Sequence, residues 1–259
     1  MSRILYKYLD INGGKMMLVN HNLQFTNASK LNDPFDCHPN LVDYSDVPEF
    51  FCHGKPKEWI QEQMEHNALY TRNDTWLNCL SKVNDSLLMW SHYCRNHSGI
   101  CIGVDIDKVL ANVPSMFGVN FEIPYLYDVQ YQEIIQRPNA YKSWEDVLRY
   151  QWSTKAKEWA YEQEMRLVME NLNPRYAMMS KEQKERYERG EVIDWKEIKF
   201  YLPLTGDSFE SIYFGVNTDV AIKDRIINYA RTKLNPDIKI YQMRVDEKAF
   251  RLKAEQITN

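Results

Sequence analysis

The sequence predicts an α+β fold: a mixed, mainly antiparallel sheet with surrounding helices. Short runs with period-two alternation and longer runs with apolar residues every three or four positions follow one another in irregular order, unlike the regular alternation of a doubly wound sheet. No self-similarity at a period of 20 to 50 residues marks a solenoid or propeller. The 259 residues are 44% hydrophobic and 26% charged with only 9 Gly and 10 Pro, which supplies a sizeable core and excludes a low-complexity chain. A single domain over residues 1–259 is expected.

The elements follow in order. Ile4-Leu5-Tyr6-Lys7-Tyr8-Leu9 reads as a strand closed by an Asn12-Gly13-Gly14 turn, with a short helix over Met16 to Asn20. Leu23-Gln24-Phe25-Thr26 alternates as a second strand, and Pro34 in Asn32-Asp33-Pro34-Phe35-Asp36 forces a turn by keeping Asp33 out of the helical region. Phe51, Trp59, Ile60 and Met64 suggest an amphipathic helix between Val47 and Leu69, and Trp76 to Ser81 is a short strand. Asp85 or Ser86 caps a helix carrying Leu87, Trp90 and Cys94, Gly99 stops it, and Ile100, Ile102 and Val104 switch to strand.

Tyr125, Tyr127 and Tyr131, between Pro124 and Pro138, read as strand plus loop. Ser143 caps a long helix predicted to run through Trp152 to Trp159, and Gln163 to Met169 alternates like a strand. Lys181 to Lys199 carries six basic and six acidic residues, so a charged, mobile helical insertion is expected around 175–199. Ser211 to Gly215 is a strand, Asp219 to Leu234 a helix, and Ile238 to Met243 a closing strand.

Charge and cysteine content narrow the function classes. Lys and Arg total 32 against 36 Asp and Glu, a net charge of -4, so the whole molecule lacks the basic footprint of a nonspecific nucleic-acid binder. A nucleic-acid-processing enzyme would need a local basic stripe that the linear sequence does not reveal. Charge interrupts the first residues and no apolar run approaches the roughly 18 residues of a membrane helix, so a cytoplasmic protein without membrane contact is expected. Five cysteines without a C-x-x-C pair encode neither a disulfide framework nor a zinc ribbon. His92, His97, Cys94 and Cys101, with Cys37-His38 and Cys52-His53, have no usual ligand spacing, and the expectation is no metal.

Signatures of P-loop enzymes, dinucleotide-binding folds, zincins and α/β-hydrolases are absent. Two segments carry chemistry instead. In Leu88 to His97 polar and aromatic groups gather at a helix end, where Trp90 suits the core and His92 and Tyr93 could reach a cleft. In Trp159 to Val168, an extended backbone sends Glu162, Glu164 and Arg166 to one face. Two carboxylates and a guanidinium could hold a ribose hydroxyl and stabilise positive charge developing at an anomeric carbon. The bland alternative is a solvent-facing strand on which Glu164 and Arg166 pair weakly.

Leu5-Tyr6-Lys7-Tyr8, Asn32-Asp33-Pro34-Phe35-Asp36, Cys79-Leu80-Ser81, Met89-Trp90-Ser91-His92-Tyr93, His97 to Gly103, Trp159 to Arg166 and Ile212 to Gly215 together resemble the ordered signatures of a bacterial domain family of unknown function. The layout also resembles the ADP-ribosyltransferase fold: an aromatic first strand, a serine-bearing middle strand and a late strand with Glu-x-Glu. That resemblance implies NAD as substrate, Glu164 engaging the nicotinamide ribose and the cationic transition state, and Glu162 orienting the acceptor. Lys7, Tyr8, Ser81, His92, Tyr93 and Arg166 would hold NAD, with Tyr8 or Tyr93 stacking on nicotinamide. Asn32, Asp33 and Trp90 would line the substrate site. Lys7 stands where many such enzymes carry His or Arg. The implied partners are a protein or nucleic-acid acceptor and, in a toxin or phage-defence setting, an antitoxin or other regulatory protein. The competing expectation is a non-catalytic module that recognises a protein or nucleotide through an aromatic cleft.

Overall fold

A computed structural model describes residues 2–117, 124–170, 180–194 and 198–258. The chain forms strand β1 (Ile4–Leu9), helix α1 (Ile11–Asn20), β2 (Asn22–Asn27), α2 (Glu49–Cys52), α3 (Lys57–Asn73), β3 (Thr75–Ser81), α4 (Leu87–His92), β4 (Ile100–Asp105) and α5 (Ile106–Phe117). It continues with β5 (Tyr125–Asp128), β6 (Gln130–Gln132), α6 (Trp144–Ser153), β7 (Thr154–Ala156), β8 (Glu164–Glu170), α7 (Lys181–Glu188), β9 (Phe200–Pro203), β10 (Phe209–Phe214), α8 (Val220–Tyr229), β11 (Lys239–Val245) and β12 (Leu252–Gln256).

Among the described residues ten strands form one mixed sheet, beginning β12-β11-β10-β4-β1-β3, in which only the β10–β11 pair is parallel. The α+β, mainly antiparallel architecture is therefore present, with helices around the sheet. β4 is buried along its whole length, and its alternation separates two cores. Ile100, Ile102 and Val104 join Leu5, Met17, Leu18, Val109, Ile212 and Ile226 on the side of α1, α5 and α8. Cys101 joins Tyr8, Trp90, Tyr213 and Met243 on the side of α4.

β3 is where the sheet divides. β8 occupies one edge of β3 along its full length, from Thr75↔Glu170 to Ser81↔Glu164. The other edge is shared: β1 meets it only at Tyr6↔Ser81, and β2 only at Thr26↔Leu77 and Asn27↔Trp76. Between these contacts the ladder is open, and side chains supply part of the missing pairing. Lys7 Nζ donates to the Cys79 carbonyl at 2.7 Å, and Asn78 Nδ2 donates to the Gln24 carbonyl at 2.8 Å. A sheet that forks in this way leaves a cleft between β1 and β2.

Several local expectations change. Asn12, Gly13 and Gly14 lie inside α1 rather than in a turn: Asp10 caps the helix by accepting from Gly13 N at 2.6 Å. Glycine there answers a packing need, because a Cβ on Gly14 would come within 2.2 Å of Ile100 Cγ2. The helix expected between Val47 and Leu69 is two, α2 and α3, divided where His53 and Gly54 take positive φ of 44° and 79°. The helix capped by Ser143 ends at Ser153, since Thr154 to Ala156 pairs with β6 and Lys157–Glu162 coils as a 3-10 helix. α5, β9 and β12 are additions to the predicted elements. The charged insertion contains α7, whereas residues 175–179 and 195–197 of it lie outside the described residues. Caps at Ser86 and Ser143 fall as expected, and Asp219, expected as the first residue of its helix, is instead the N-cap before Val220.

Gly14→Ala is expected to cost about 1–3 kcal/mol through overpacking against β4, measured as a lower midpoint in urea unfolding. Combining it with Ile100→Ala should recover part of that loss relative to the sum of the two single changes, because the clashing methyl is gone.

Candidate functional site

Five charged side chains meet beside the fork. Arg166 is fully buried and bonds in three directions: Nε to Glu164 Oε1 at 2.8 Å, Nη1 to the Trp152 carbonyl at 2.9 Å and Nη2 to Asp36 Oδ1 at 2.6 Å. Nη2 also reaches Glu164 Oε2 at 3.3 Å. Lys155 lies between the carboxylates, donating to Glu162 Oε2 at 2.6 Å and Glu164 Oε2 at 3.2 Å, with Asp36 Oδ2 at 4.0 Å and the Trp159 ring centroid 4.6 Å away. The Tyr93 hydroxyl donates to Glu162 Oε1 at 2.6 Å.

The backbone explains how these groups converge. β8 is regular, so Glu164 and Arg166 share a face opposite Ser81 and Cys79 of β3. Glu162 arrives differently from the all-strand expectation. It ends the 3-10 helix, and Gln163 turns the chain through the left-handed region at φ 44°. Two bonds pin this turn to the end of β3: Ser81 Oγ donates to the Glu162 carbonyl at 2.6 Å and Lys82 N to the Gln163 carbonyl at 2.9 Å. The Tyr131 hydroxyl accepts from Glu164 N at 2.8 Å. At 3% exposure each, Glu162 and Glu164 are not on a solvent-facing strand.

Burial and pairing act unequally on the three carboxyls. Burial alone would raise Glu164, but Arg166 and Lys155 outweigh it and hold the group well below the usual carboxylate range. For Glu162 burial prevails over Lys155 and Tyr93 and pushes the carboxyl up, and Asp36 is likewise raised by burial against Arg166 and Lys155. Burial would lower Lys155, but Glu164, Asp36 and Glu162 raise it. The Lys7 amine is lowered by burial. The cluster itself contains three carboxylates and two cations, one negative charge in excess.

This cluster borders a cavity of about 180 Å³ lined by Lys7, Tyr8, Asn32, Ser81, Tyr93, Glu162 and Glu164, with Asp36, Lys155 and Cys79 also in its wall. A cleft of about 780 Å³ shares Lys7, Tyr8, Thr26 and Tyr93 with it and extends along α1 and β2 to Lys199 and Tyr201. Four candidates lie elsewhere. Trp90 is fully buried, and its Nε1 donates to the Asn84 carbonyl at 2.8 Å. His92 faces Tyr161, with Nδ1 3.1 Å from the hydroxyl. Asp33 is buried in its turn, where Oδ1 accepts from Phe35 N at 2.9 Å. Arg166 is buried among its carboxylate partners and does not line the cavity.

Sequence reasoning did not single out Lys155 or assign Asp36 a place in the site. Lys155 stood within a presumed helix, with no signal to mark it, while Asp36 belonged to a turn whose fixed geometry already accounted for its residues. Among the described residues no group of three or more His, Cys, Asp or Glu is arranged to hold a metal ion, and no helix is long and apolar enough to cross a membrane.

Residues 89–167 match the model of a protein family of unknown function, DUF2971. The matched segment runs from α4 into β8 and carries Tyr93, Lys155, Glu162, Glu164 and Arg166; Lys7, Asp36 and Ser81 precede it. No curated protein and no solved structure matches the chain.

Arg166→Lys replaces a forked donor with a point charge and strands part of the network. The expected loss is about 3 kcal/mol, or roughly 6–12 °C in Tm for a chain of this size. The pH dependence isolates Glu164. Its folded value lies below the unfolded one, near 4.3, so its stabilisation is present above that value and is lost as pH falls through the depressed folded value. The Tm gap between wild type and Glu164→Gln should therefore narrow in thermal melts as pH is lowered from about 5.

Proposed function

We propose that the protein transfers the ADP-ribosyl group of NAD to a macromolecular acceptor at the fork of the sheet. The observation that carries this reading is the convergence of Lys7, Tyr8, Ser81, Tyr93, Glu162 and Glu164, from four separate parts of the chain, on one small cavity that shares four wall residues with a larger cleft. The inner cavity suits the nicotinamide ribose, with Tyr8 and Tyr93 offering aromatic rings, and the outer cleft suits the adenosine half. Lys7 lies in the wall of both compartments, where an ammonium would meet the diphosphate between them.

The chemistry follows from charge. Cleavage of a nicotinamide glycosidic bond develops positive charge on the ribose, and preorganised negative charge stabilises such a transition state most where water is excluded. The buried cluster places three carboxylates beside the cavity, fixed by hydrogen bonds before any ligand arrives. A toxin or phage-defence role, controlled by a regulatory partner, is compatible with this activity.

A second reading, a module that holds a nucleotide without turnover, draws support from the complete pairing of Glu164. One experiment separates them. Incubating purified protein with NAD should raise Tm and release nicotinamide, followed chromatographically with and without cell extract as acceptor source. Saturable binding with no nicotinamide released in either condition favours recognition alone, and absence of binding rejects both nucleotide readings.

A further inference from the structure

Within the transfer reading, which this inference rests on, the two carboxylates need not have the roles that their order in the Glu-x-Glu segment suggests. We propose that Glu162 is the catalytic carboxylate that faces the anomeric carbon, and that Glu164 is a positioning residue that fixes Lys155 and Arg166. The geometry distinguishes them. Both oxygens of Glu164 are engaged by Arg166 and Oε2 also by Lys155, at 2.8, 3.3 and 3.2 Å, and the Cys79 thiol adds a further contact. Two cations already neutralise this carboxylate, so a third positive centre gains little from it.

Among the described residues Glu162 ion-pairs with one cation, Lys155, which it shares with Glu164, and accepts from one neutral donor, Tyr93. Ion pairing is therefore weaker at Glu162 than at Glu164. Burial, which disfavours the charged form, also pushes the Glu162 carboxyl up against the pull of Lys155 and Tyr93. The backbone around it is fixed, since Ser81 and Lys82 of the β3 end hold both carbonyls of the Glu162-Gln163 turn. A carboxyl delivered by a rigid turn into a cavity wall meets the requirement of preorganisation.

In the step this assigns, the bond between C1 of the nicotinamide ribose and the ring nitrogen breaks, and its electron pair leaves on nicotinamide. Glu162 stabilises the positive charge that develops on the sugar. A lone pair of the acceptor's O–H or N–H group forms the new bond to C1, and the displaced proton passes to Glu162 and then to water. The products are the ADP-ribosylated acceptor, nicotinamide and one proton, without any redox partner.

The test compares Glu162→Gln, Glu164→Gln and Glu164→Asp for nicotinamide release, NAD affinity by calorimetry, and Tm. Glu162→Gln should bind NAD within about threefold of wild type while kcat falls by about 10²-fold or more, the scale of a lost electrostatic or acid-base group. Glu164→Gln should lower Tm, and Glu164→Asp, which keeps the charge, should retain at least about a tenth of wild-type kcat. The rate of wild type should rise with pH through the raised Glu162 value, whereas the residual rate of Glu162→Gln should lack that limb. Near-normal turnover in Glu162→Gln, or a loss of about 10²-fold in folded, NAD-binding Glu164→Asp, overturns the assignment. A wild-type protein that binds NAD and releases no nicotinamide removes the transfer reading itself, and the catalytic role of Glu162 with it.

Discussion

Arg166 must be satisfied without water, and that constraint organises the centre of the molecule. A guanidinium at 0% exposure needs its charge balanced and its donors accepted by protein groups. Glu164, Asp36 and the Trp152 carbonyl do this from three different segments, so β8, the turn after β2 and the end of α6 are held in one arrangement. Lys155 extends the network to Glu162. Buried ion pairs of this kind add little net stability compared with apolar packing, but removing one partner leaves an uncompensated charge. The network acts mainly as a positional device: it costs about as much as it contributes, and it specifies where each carboxyl sits.

The fork in the sheet gives that device a place to act. Had β1 or β2 paired with β3 along its whole free edge, backbone hydrogen bonds would have closed the space at Asn78, Cys79 and Leu80. Instead each strand touches one end of β3, and Lys7 and Asn78 bridge part of the gap. The opening lies next to Ser81 and Glu164, which are directly paired across β3 and β8. Cavity and charge cluster are thus two consequences of one topology. The groove of about 600 Å³ at the β11–β12 hairpin, with Phe250 fully exposed beside it, has no comparable cluster of buried charge.

Much of the fold was legible because its elements obey local rules. Leu23 to Thr26 and Ile100 to Val104 alternate and are strands, the short apolar run Trp76 to Ser81 is another, and Ser143 caps the helix it precedes. Period two also placed Glu164 and Arg166 together, since β8 is regular there. Glu162 was assigned to the right neighbourhood by the wrong route: a glutamine with positive φ is uncommon and has no sequence signal. Lys155 was hidden by helical spacing that continues past Ser153, where pairing with β6 overrides propensity. Gly13 and Gly14 looked like a turn because the contact that makes Gly14 small, Ile100, lies 86 positions away in sequence.

A crystal structure with NAD or a non-cleavable analogue bound examines the central claim most directly. The ligand should lie across the opening between β1 and β2, its diphosphate near Lys7 and its nicotinamide ribose within hydrogen-bond reach of Glu162, with the Arg166 network unchanged. A dinucleotide seated elsewhere, such as the β11–β12 groove, or one that enters only after Arg166 has left its carboxylates, would contradict a preorganised site at the fork.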